Sequence, residues 1–230
     1  AFFDAVESGK SGLILMEHYS NLDLPALIYL LEHSGNSKCK ELASRVVAIA
    51  GMKLNEDNPM VRAFAESFTR VVIYPTRSLN KIEDAEARAA EEAKARKINL
   101  AAMKAMDKCK KQGKVILVFP SGTRYRPGKP ETKKGLREID SYLRLFDKMI
   151  LVSINGLSLH IDPEHPDDML ADIIEPDKMV FTASPVYDCK SFRKEYMASL
   201  PAEEEDPKQR IIDHVMSLFD EQHEKVASSL

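Results

Sequence analysis

Residues 13–25 read LILMEHYSNLDLP, an apolar run that gives way to a polar loop and then to the start of an amphipathic stretch. A short, continuous run of Leu, Ile and Met is typical of a buried strand. From Leu22 to His33 the apolar residues fall on one face at helical spacing, and Pro25 is tolerated because it lies in the first turn. The segment therefore predicts a strand, a short loop and a helix.

The same alternation continues along the chain. Further strands are predicted at 46–50, 71–74, 115–119, 149–154 and 179–183, and further helices at 59–69, 79–112, 134–146 and 207–226. Strands that alternate with helices indicate an α/β fold, with a mostly parallel central sheet flanked by helices. We expect a single domain over residues 1–230 that lacks an N-terminal segment, because the chain starts at Ala1 without Met.

Two of these helices have a distinct character. The range 79–112 is predicted as a helical insert made of two helices that meet near Lys97. Its charged part, 81–97, has almost no large apolar residues and is expected to project into solvent. The C-terminal helix, 207–226, is amphipathic, but its polar face carries acids as well as bases, so we expect it to pack on the body of the protein.

Composition narrows the classes of function. The 230 residues are 44% hydrophobic and 30% charged, and a net charge of −3 argues against a general nucleic-acid partner. The longest apolar run, Val46 to Met52, is much shorter than the roughly 20 residues that cross a bilayer. Three separated cysteines favour neither disulfides nor a zinc site, and His160 and His165 are interpreted as part of a surface loop. We therefore expect a reducing, cytoplasmic setting and no metal.

His18 falls at the carboxyl end of the first predicted strand, where open α/β sheets bind their ligands. Asp23 follows after a short loop and is close enough to hold one imidazole nitrogen, which leaves the other nitrogen as a general base. The HxxxxD spacing by itself is weak evidence. The alternative is a strand-end histidine beside a helix-capping aspartate, and the segment alone favours neither.

A second strand runs into a loop at residues 115–128, which read VILVFPSGTRYRPG. Arg124 and Arg126 stand at alternate positions, so both guanidinium groups can face one side and form a fork for a phosphate. The surrounding range 110–137 has nine lysines and arginines against one acid, although a solvated basic loop is the alternative. A third predicted strand is followed by Arg77, which we expect at the same phosphate site.

Together these strand ends resemble the glycerolipid acyltransferase family, which includes glycerol-3-phosphate and 1-acylglycerol-3-phosphate (lysophosphatidate) acyltransferases. The resemblance covers about residues 12–157. HYSNLD matches the family's HxxxxD motif, which implies His18 as the general base and Asp23 as its orienting partner. FPSGTR, residues 119–124, is similar to the family's FPEGTR block, with serine where glutamate is usual. The block and its surroundings imply a substrate-binding loop and phosphate-binding cations: Ser121, Gly122 and Thr123 for the loop, and Arg77, Arg124 and Arg126 for the phosphate.

The departures from the family pattern favour one branch of it. SGTRYR, residues 121–126, is closer to the SGGRDR of soluble, plastid-type glycerol-3-phosphate acyltransferases, which also have a long helical insert before this block. Residues 151–155 lack the proline that is usual in the family's fourth block, so they receive no functional role. The comparison implies a soluble enzyme in the cytoplasm or a stroma-like compartment, with transient contact to a membrane surface.

The resemblance implies transfer of a fatty acyl group from acyl-coenzyme A or acyl carrier protein to glycerol 3-phosphate, in phospholipid biosynthesis and without a cofactor. Its nearest rival is the same chemistry on a 1-acyl-glycerol 3-phosphate acceptor. A second rival is a non-catalytic peripheral lipid-binding module that uses the basic range 110–137, and a phosphate-ester hydrolase lacks a visible nucleophile or metal cluster. We expect the acyl chain in an apolar groove lined by the 24–31 helix face, and backbone N–H groups around Gly122 as oxyanion donors.

Overall fold

The computed structural model describes residues 1–52, 62–63, 66–75, 79, 82–166, 168 and 170–227. The helices in these ranges are α1 (Phe2–Glu7), α2 (Asp23–His33), α3 (Ser37–Arg45), α4 (Ala85–Lys111), α5 (Asp140–Leu145), α6 (Cys189–Ser199) and α7 (Pro207–Ala227). The strands are β1 (Gly12–Met16), β2 (Val46–Gly51), β3 (Arg70–Ile73), β4 (Val115–Val118), β5 (Lys148–Asn155), β6 (Leu159–His160), β7 (Ile173–Ile174), β8 (Val180–Ala183) and β9 (Tyr187–Asp188).

The central sheet is mostly parallel, which confirms the predicted fold class. Its strand order is β3-β2-β4-β1-β5-β8. The first five strands in this order run parallel, while β8 and β9 pair antiparallel with β5. In the middle of the sheet, Leu13 of β1 lies opposite Ile116 of β4 on one side and Met149 of β5 on the other. Because β1 and β4 are parallel neighbours, the loops that leave their carboxyl ends begin at the same edge.

Helices cover both faces of this sheet. Leu13 and Leu15 of β1 pack in one apolar cluster with residues of α4, α5, α6 and α7. The intervening Ile14 and Met16 pack in a second cluster with α1, α2 and α3. Burial on both faces explains why the central strands read as continuous apolar runs and not as alternating ones.

The helical insert is a single helix, so the predicted division near Lys97 was wrong. From Ala85 to Lys111 the chain has neither glycine nor proline and is rich in alanine, glutamate and lysine, which all favour an uninterrupted helix. Asp84 caps its start by accepting a hydrogen bond from the Ala87 N–H (2.7 Å). Residues 83–90 are exposed, whereas later turns are anchored on the sheet by buried Ala102 and Met106.

Other predicted elements begin or end elsewhere. The helix predicted at 134–146 is a 3₁₀ turn, Arg137–Ile139, followed by the short α5. Gly135 lies against α7: a Cβ there would stand 2.5 Å from Ile212 Cγ2, so this stretch accommodates the last helix. The helix predicted at 59–69 lies partly outside the described residues. α1, α3, α6 and the small β6–β7 hairpin were not predicted.

The last helix contributes to the core along one face. Ile211, Ile212, Val215 and Phe219 of α7 are fully buried against the β5 side of the sheet. None of the helices in the described part of the chain is both long enough and apolar enough to cross a membrane.

Candidate active site

His18 and Asp23 form a hydrogen-bonded pair at the carboxyl edge of the sheet. His18 lies two positions beyond the end of β1, and Asp23 is the first residue of α2. His18 Nδ1 lies 2.9 Å from Asp23 Oδ2, and the side chains are 19% and 0% exposed. With the proton on Nδ1 donated to the carboxylate, Nε2 is the unprotonated nitrogen, as a general base requires.

The loop itself holds the Asp23 carboxylate. Oδ2 also accepts hydrogen bonds from the backbone N–H groups of Tyr19 (2.6 Å) and Ser20 (2.9 Å), and Oδ1 accepts one from the Ser20 hydroxyl (2.8 Å). Buried carboxylates need such donors, because desolvation otherwise penalises the charge. The short polar loop that follows β1 therefore fixes the orientation of His18 through Asp23.

The loop that follows β4 lies against this pair. The His18 ring stacks on the Phe119 ring, with 4.0 Å between centroids and 17° between planes. The Tyr125 N–H donates to the His18 carbonyl oxygen (2.8 Å). Two of the three strand ends singled out in the sequence are thus brought together, as expected for neighbouring parallel strands.

The substrate-binding loop predicted at 121–123 is a tight turn. Ser121 is buried and donates its hydroxyl to the Thr123 carbonyl (2.7 Å), and Gly122 has a φ of 61°, which favours glycine. The Gly122 N–H donates to the Phe119 carbonyl (2.9 Å). This N–H is therefore engaged within the turn, and the oxyanion donors around Gly122 stay a prediction.

The predicted phosphate-binding cations have different surroundings. The Arg124 side chain is only 8% exposed and pairs through Nη1 with Oδ2 of Asp172, a residue that sequence reasoning missed. Arg126 is half-buried, and its backbone N–H donates to the Thr132 hydroxyl (2.9 Å). Arg77 lies outside the described residues, so its place at the site stays a prediction.

A cavity of about 680 Å³ opens beside His18. Its lining is mostly apolar and comes from the start of α2, from β2 and β3, from the inner face of α4 and from the segment that leads into α5. The lining side chains include Leu24, Ile49, Met103, Met106, Ile139 and Tyr142. Only the first turn of α2 takes part, because Leu27 packs in the core instead, so the expected groove along the 24–31 helix face was wrong in its extent.

A second buried polar cluster supports the His18 loop from behind. Glu17 accepts hydrogen bonds from the Tyr19 hydroxyl (2.8 Å) and the Ile154 N–H (3.0 Å), and it lies 2.7 Å from His223 Nε2. Burial raises the pKa of Tyr19 far above its ordinary value, and the nearby Glu17 charge adds to the shift, so the hydroxyl stays protonated and donates. Sequence reasoning missed this cluster, for which a charged residue at a strand end was the only signal.

The basic range 110–137 does not form one surface. Lys114 lies at the amino end of β4, where its Nζ donates to the Ser44 carbonyl (3.1 Å). Arg124 lies beyond the carboxyl end of β4, a strand whose four residues span roughly 13 Å at 3.3 Å per residue. Lys133 pairs with Asp220 of α7 (2.7 Å). Because these basic residues are distributed over separate parts of the molecule, they provide little support for a lipid-binding module.

The described residues contain no group of three or more His, Cys, Asp or Glu side chains that could hold a metal ion. His160 and His165 each face one acid in the segment between β5 and β8: His160 lies 3.5 Å from Glu175 and His165 lies 2.8 Å from Asp162.

Fold and site together define an α/β protein whose sheet edge presents a hydrogen-bonded His–Asp pair beside a large apolar cavity. The sequence profile of the Acyltransferase family matches residues 3–146, more than half of the chain, and includes both loops of the site. The chain therefore belongs to the Acyltransferase family, and its general role is that of an acyltransferase. No protein of curated function matches the chain.

Proposed function

We propose that this acyltransferase moves a fatty acyl group from a thioester, carried by coenzyme A or acyl carrier protein, to a hydroxyl of glycerol 3-phosphate. The observation that carries the proposal is the His18–Asp23 pair, 2.9 Å apart, at the mouth of an apolar cavity of about 680 Å³. The pair offers a base for a hydroxyl, and the cavity has the chemistry to receive an acyl chain.

In the proposed reaction His18 Nε2 takes the proton of the acceptor hydroxyl as that oxygen attacks the thioester carbonyl carbon. Asp23 stabilises the imidazolium that forms. The tetrahedral intermediate then collapses, the carbon–sulfur bond breaks, and His18 returns the proton to the departing thiolate. No acyl-enzyme intermediate is required, because the thioester is already activated and His18 can act directly on the acceptor.

Arg124 and Arg126 are proposed to bind the acceptor phosphate through charge-assisted hydrogen bonds, with Arg77 as a third cation. Support comes from the contact between the Tyr125 N–H and the His18 carbonyl, because Tyr125 stands between the two arginines. A phosphate held by this loop leaves the glycerol hydroxyl near the imidazole. Because a chain-bearing product partitions into lipid, transient contact with a membrane surface is part of the proposal.

A lysophosphatidate acceptor is the second candidate, and the extent of the cavity favours keeping it. Residues 48–51 of β2 line the cavity, as do Ile73 at the end of β3 and Met106 of α4. The lining thus continues from His18 along the carboxyl ends of two strands to the α4 side. An apolar lining of this extent is compatible with an acceptor that already bears a chain.

The test measures release of free thiol and formation of acylated product with acyl-coenzyme A or acyl carrier protein as donor. Each donor is offered glycerol 3-phosphate and 1-acyl-glycerol 3-phosphate. His18→Ala is expected to lower kcat/KM by about 10²–10⁴-fold, the usual contribution of a general base. His33→Ala is the matched control, since His33 is exposed on α2 and its ring lies against Tyr29 of the same helix, with Nδ1 2.8 Å from the Tyr29 carbonyl oxygen.

Two outcomes contradict the proposal in different ways. Wild-type protein that transfers acyl groups to neither acceptor from either donor overturns the function. A wild type that strongly prefers 1-acyl-glycerol 3-phosphate replaces the first acceptor by the second.

A further inference from the structure

The Asp172 carboxylate is paired with Arg124, the cation that is proposed to bind the acceptor phosphate. The Arg124 and Asp172 side chains are 8% and 2% exposed and are paired through Nη1 and Oδ2. Oδ1 of Asp172 is buried and has no hydrogen-bond partner among the described residues. A buried carboxylate with one oxygen unpaired is costly, because desolvation of that oxygen is not compensated. Within the described part of the chain, the Asp172 carboxylate is therefore held through Oδ2, by Arg124, and not through Oδ1.

Asp172 comes from a segment that also contributes to the cavity wall. Residues 156–177 lie between β5 and β8, are described apart from 167 and 169, and include the β6–β7 hairpin, in which Leu159 pairs with Ile174. Leu159 and Leu170 line the same cavity as His18. The base of the segment is fastened where the Leu157 N–H donates to Asp177 (2.6 Å). Leu159 and Leu170 thus lie at the cavity, and Asp172 of the same segment pairs with Arg124.

A phosphate and the Asp172 carboxylate compete for one guanidinium. Both are anions, and in a poorly hydrated pocket their mutual repulsion is strong. A phosphate also offers more acceptor oxygens than the single carboxylate oxygen that Arg124 engages here, so it can form a bidentate pair. A neutral alcohol offers no charge with which to displace the carboxylate.

We propose that Asp172 determines acceptor specificity: its carboxylate holds the 156–177 segment closed on Arg124, and only an acceptor that bears an anionic phosphate displaces it. This inference rests on the proposed function, in which Arg124 binds the acceptor phosphate. Displacement moves Leu159 and Leu170 with the segment and opens the cavity only when the correct acceptor has arrived.

The first experiment compares Asp172→Asn with the wild type in calorimetric titrations with glycerol 3-phosphate and with inorganic phosphate. We expect the variant to bind both ligands at least about tenfold more tightly, which corresponds to about 1.4 kcal/mol. Glu164→Gln is the matched control: Glu164 is an exposed acid of the same segment, and its change should leave both affinities unaltered. Equal or weaker phosphate binding by Asp172→Asn overturns the inference and makes Asp172 a positioning partner of Arg124.

The second experiment uses the unaltered protein and remains decisive if the variant fails to fold. Saturating glycerol 3-phosphate should speed hydrogen exchange at the amides of residues 170–175, because the hairpin leaves the body. Exchange that slows or stays the same contradicts displacement. Unmodified glycerol at the same concentration should leave the exchange rates unchanged.

These readouts separate the inference from the proposed function. If the wild type transfers no acyl group but Asp172→Asn still binds phosphate more tightly, the displaceable carboxylate stands and the reaction must be sought elsewhere. If the wild type transfers acyl groups and the phosphate affinities do not differ, the function stands and the role of Asp172 is rejected.

Discussion

The loop after β1 and the loop after β4 meet at the same edge of the sheet, yet their charged groups are held in opposite ways. Asp23 accepts hydrogen bonds from His18, Tyr19 and Ser20, all within five positions of it. Arg124 pairs with Asp172, which is 48 positions away on a separate hairpin. Local contacts form together with the loop and fix its geometry, whereas a contact with a distant segment can be exchanged if that segment moves.

This contrast matches what each loop is proposed to do. A general base must keep one orientation through the reaction, because small displacements are costly in rate. A phosphate-binding cation must instead change partners each time a substrate enters. The first loop is therefore organised in advance, and the second is organised around an exchangeable anion.

The largest effect is expected where the local network is broken. Asp23→Asn removes the charge that stabilises an imidazolium on His18, and it turns one acceptor oxygen into an NH₂ group that faces N–H donors. We expect kcat/KM to fall by about 10²-fold or more. Stability should fall by roughly 1–3 kcal/mol, since Tyr19 or Ser20 keeps a buried donor without an acceptor.

Steady-state acyl transfer and denaturant unfolding measure these two effects. Asp107→Asn is the control, because Asp107 is an exposed acid that pairs with Lys111 (2.7 Å) of its own helix, α4. An Asp23→Asn variant that retains near wild-type kcat would mean that the orientation of His18 does not depend on this loop.

A smaller effect is expected at the second loop. Arg124→Lys keeps the positive charge, so the pair with Asp172 can persist, but it removes the planar fork that binds two oxygens of a phosphate. KM for the phosphate acceptor should rise about 10- to 100-fold, as for the loss of one charge-assisted hydrogen bond of about 1.5–3 kcal/mol, while kcat changes little. Arg144→Lys, an exposed arginine paired with Asp140 (3.4 Å), serves as control. A fall in kcat with an unchanged KM would place Arg124 in the chemical step instead.

The sequence predicted what depends on local pattern. The runs at 13–16 and 115–119 are apolar throughout because β1 and β4 are buried on both faces. Such continuous apolar runs allowed the parallel sheet to be predicted. The contact between His18 and Asp23 was also predictable, because a short loop after a strand leaves little freedom. The division of α4 was wrong because its break was inferred from composition, although no residue in it breaks a helix.

What the sequence left out are contacts made by tertiary structure. Asp172 stands in an acidic stretch where several carboxylates have the same local pattern, so nothing marked it as the partner of Arg124. Tyr19 and His223 are 204 positions apart, and only the packing of α7 on the sheet brings them to 3.3 Å. The extent of the cavity likewise follows from how α4 and the segment before α5 pack, which spacing along the chain does not encode.

The smallest effect should come from a change in the Glu17 cluster behind the loop that follows β1. This change tests whether local contacts alone fix that loop. Tyr19→Phe deletes the hydroxyl, which donates to Glu17 and has a longer contact of 3.3 Å with His223 Nε2, but it keeps the Tyr19 backbone N–H that donates to Asp23. Glu17 retains the Ile154 N–H and His223, so its charge remains satisfied. Stability should therefore fall by only about 0.5–1.5 kcal/mol, the net value of one hydrogen bond, and kcat should change by no more than a few-fold.

Unfolding in urea and acyl-transfer assays measure the two quantities on the same preparation. A fall in kcat beyond about tenfold, 1.4 kcal/mol in barrier height, would show that α7 orients His18 through Glu17. The base would then depend on a distant segment, just as Arg124 does, and the contrast between the two loops would be lost.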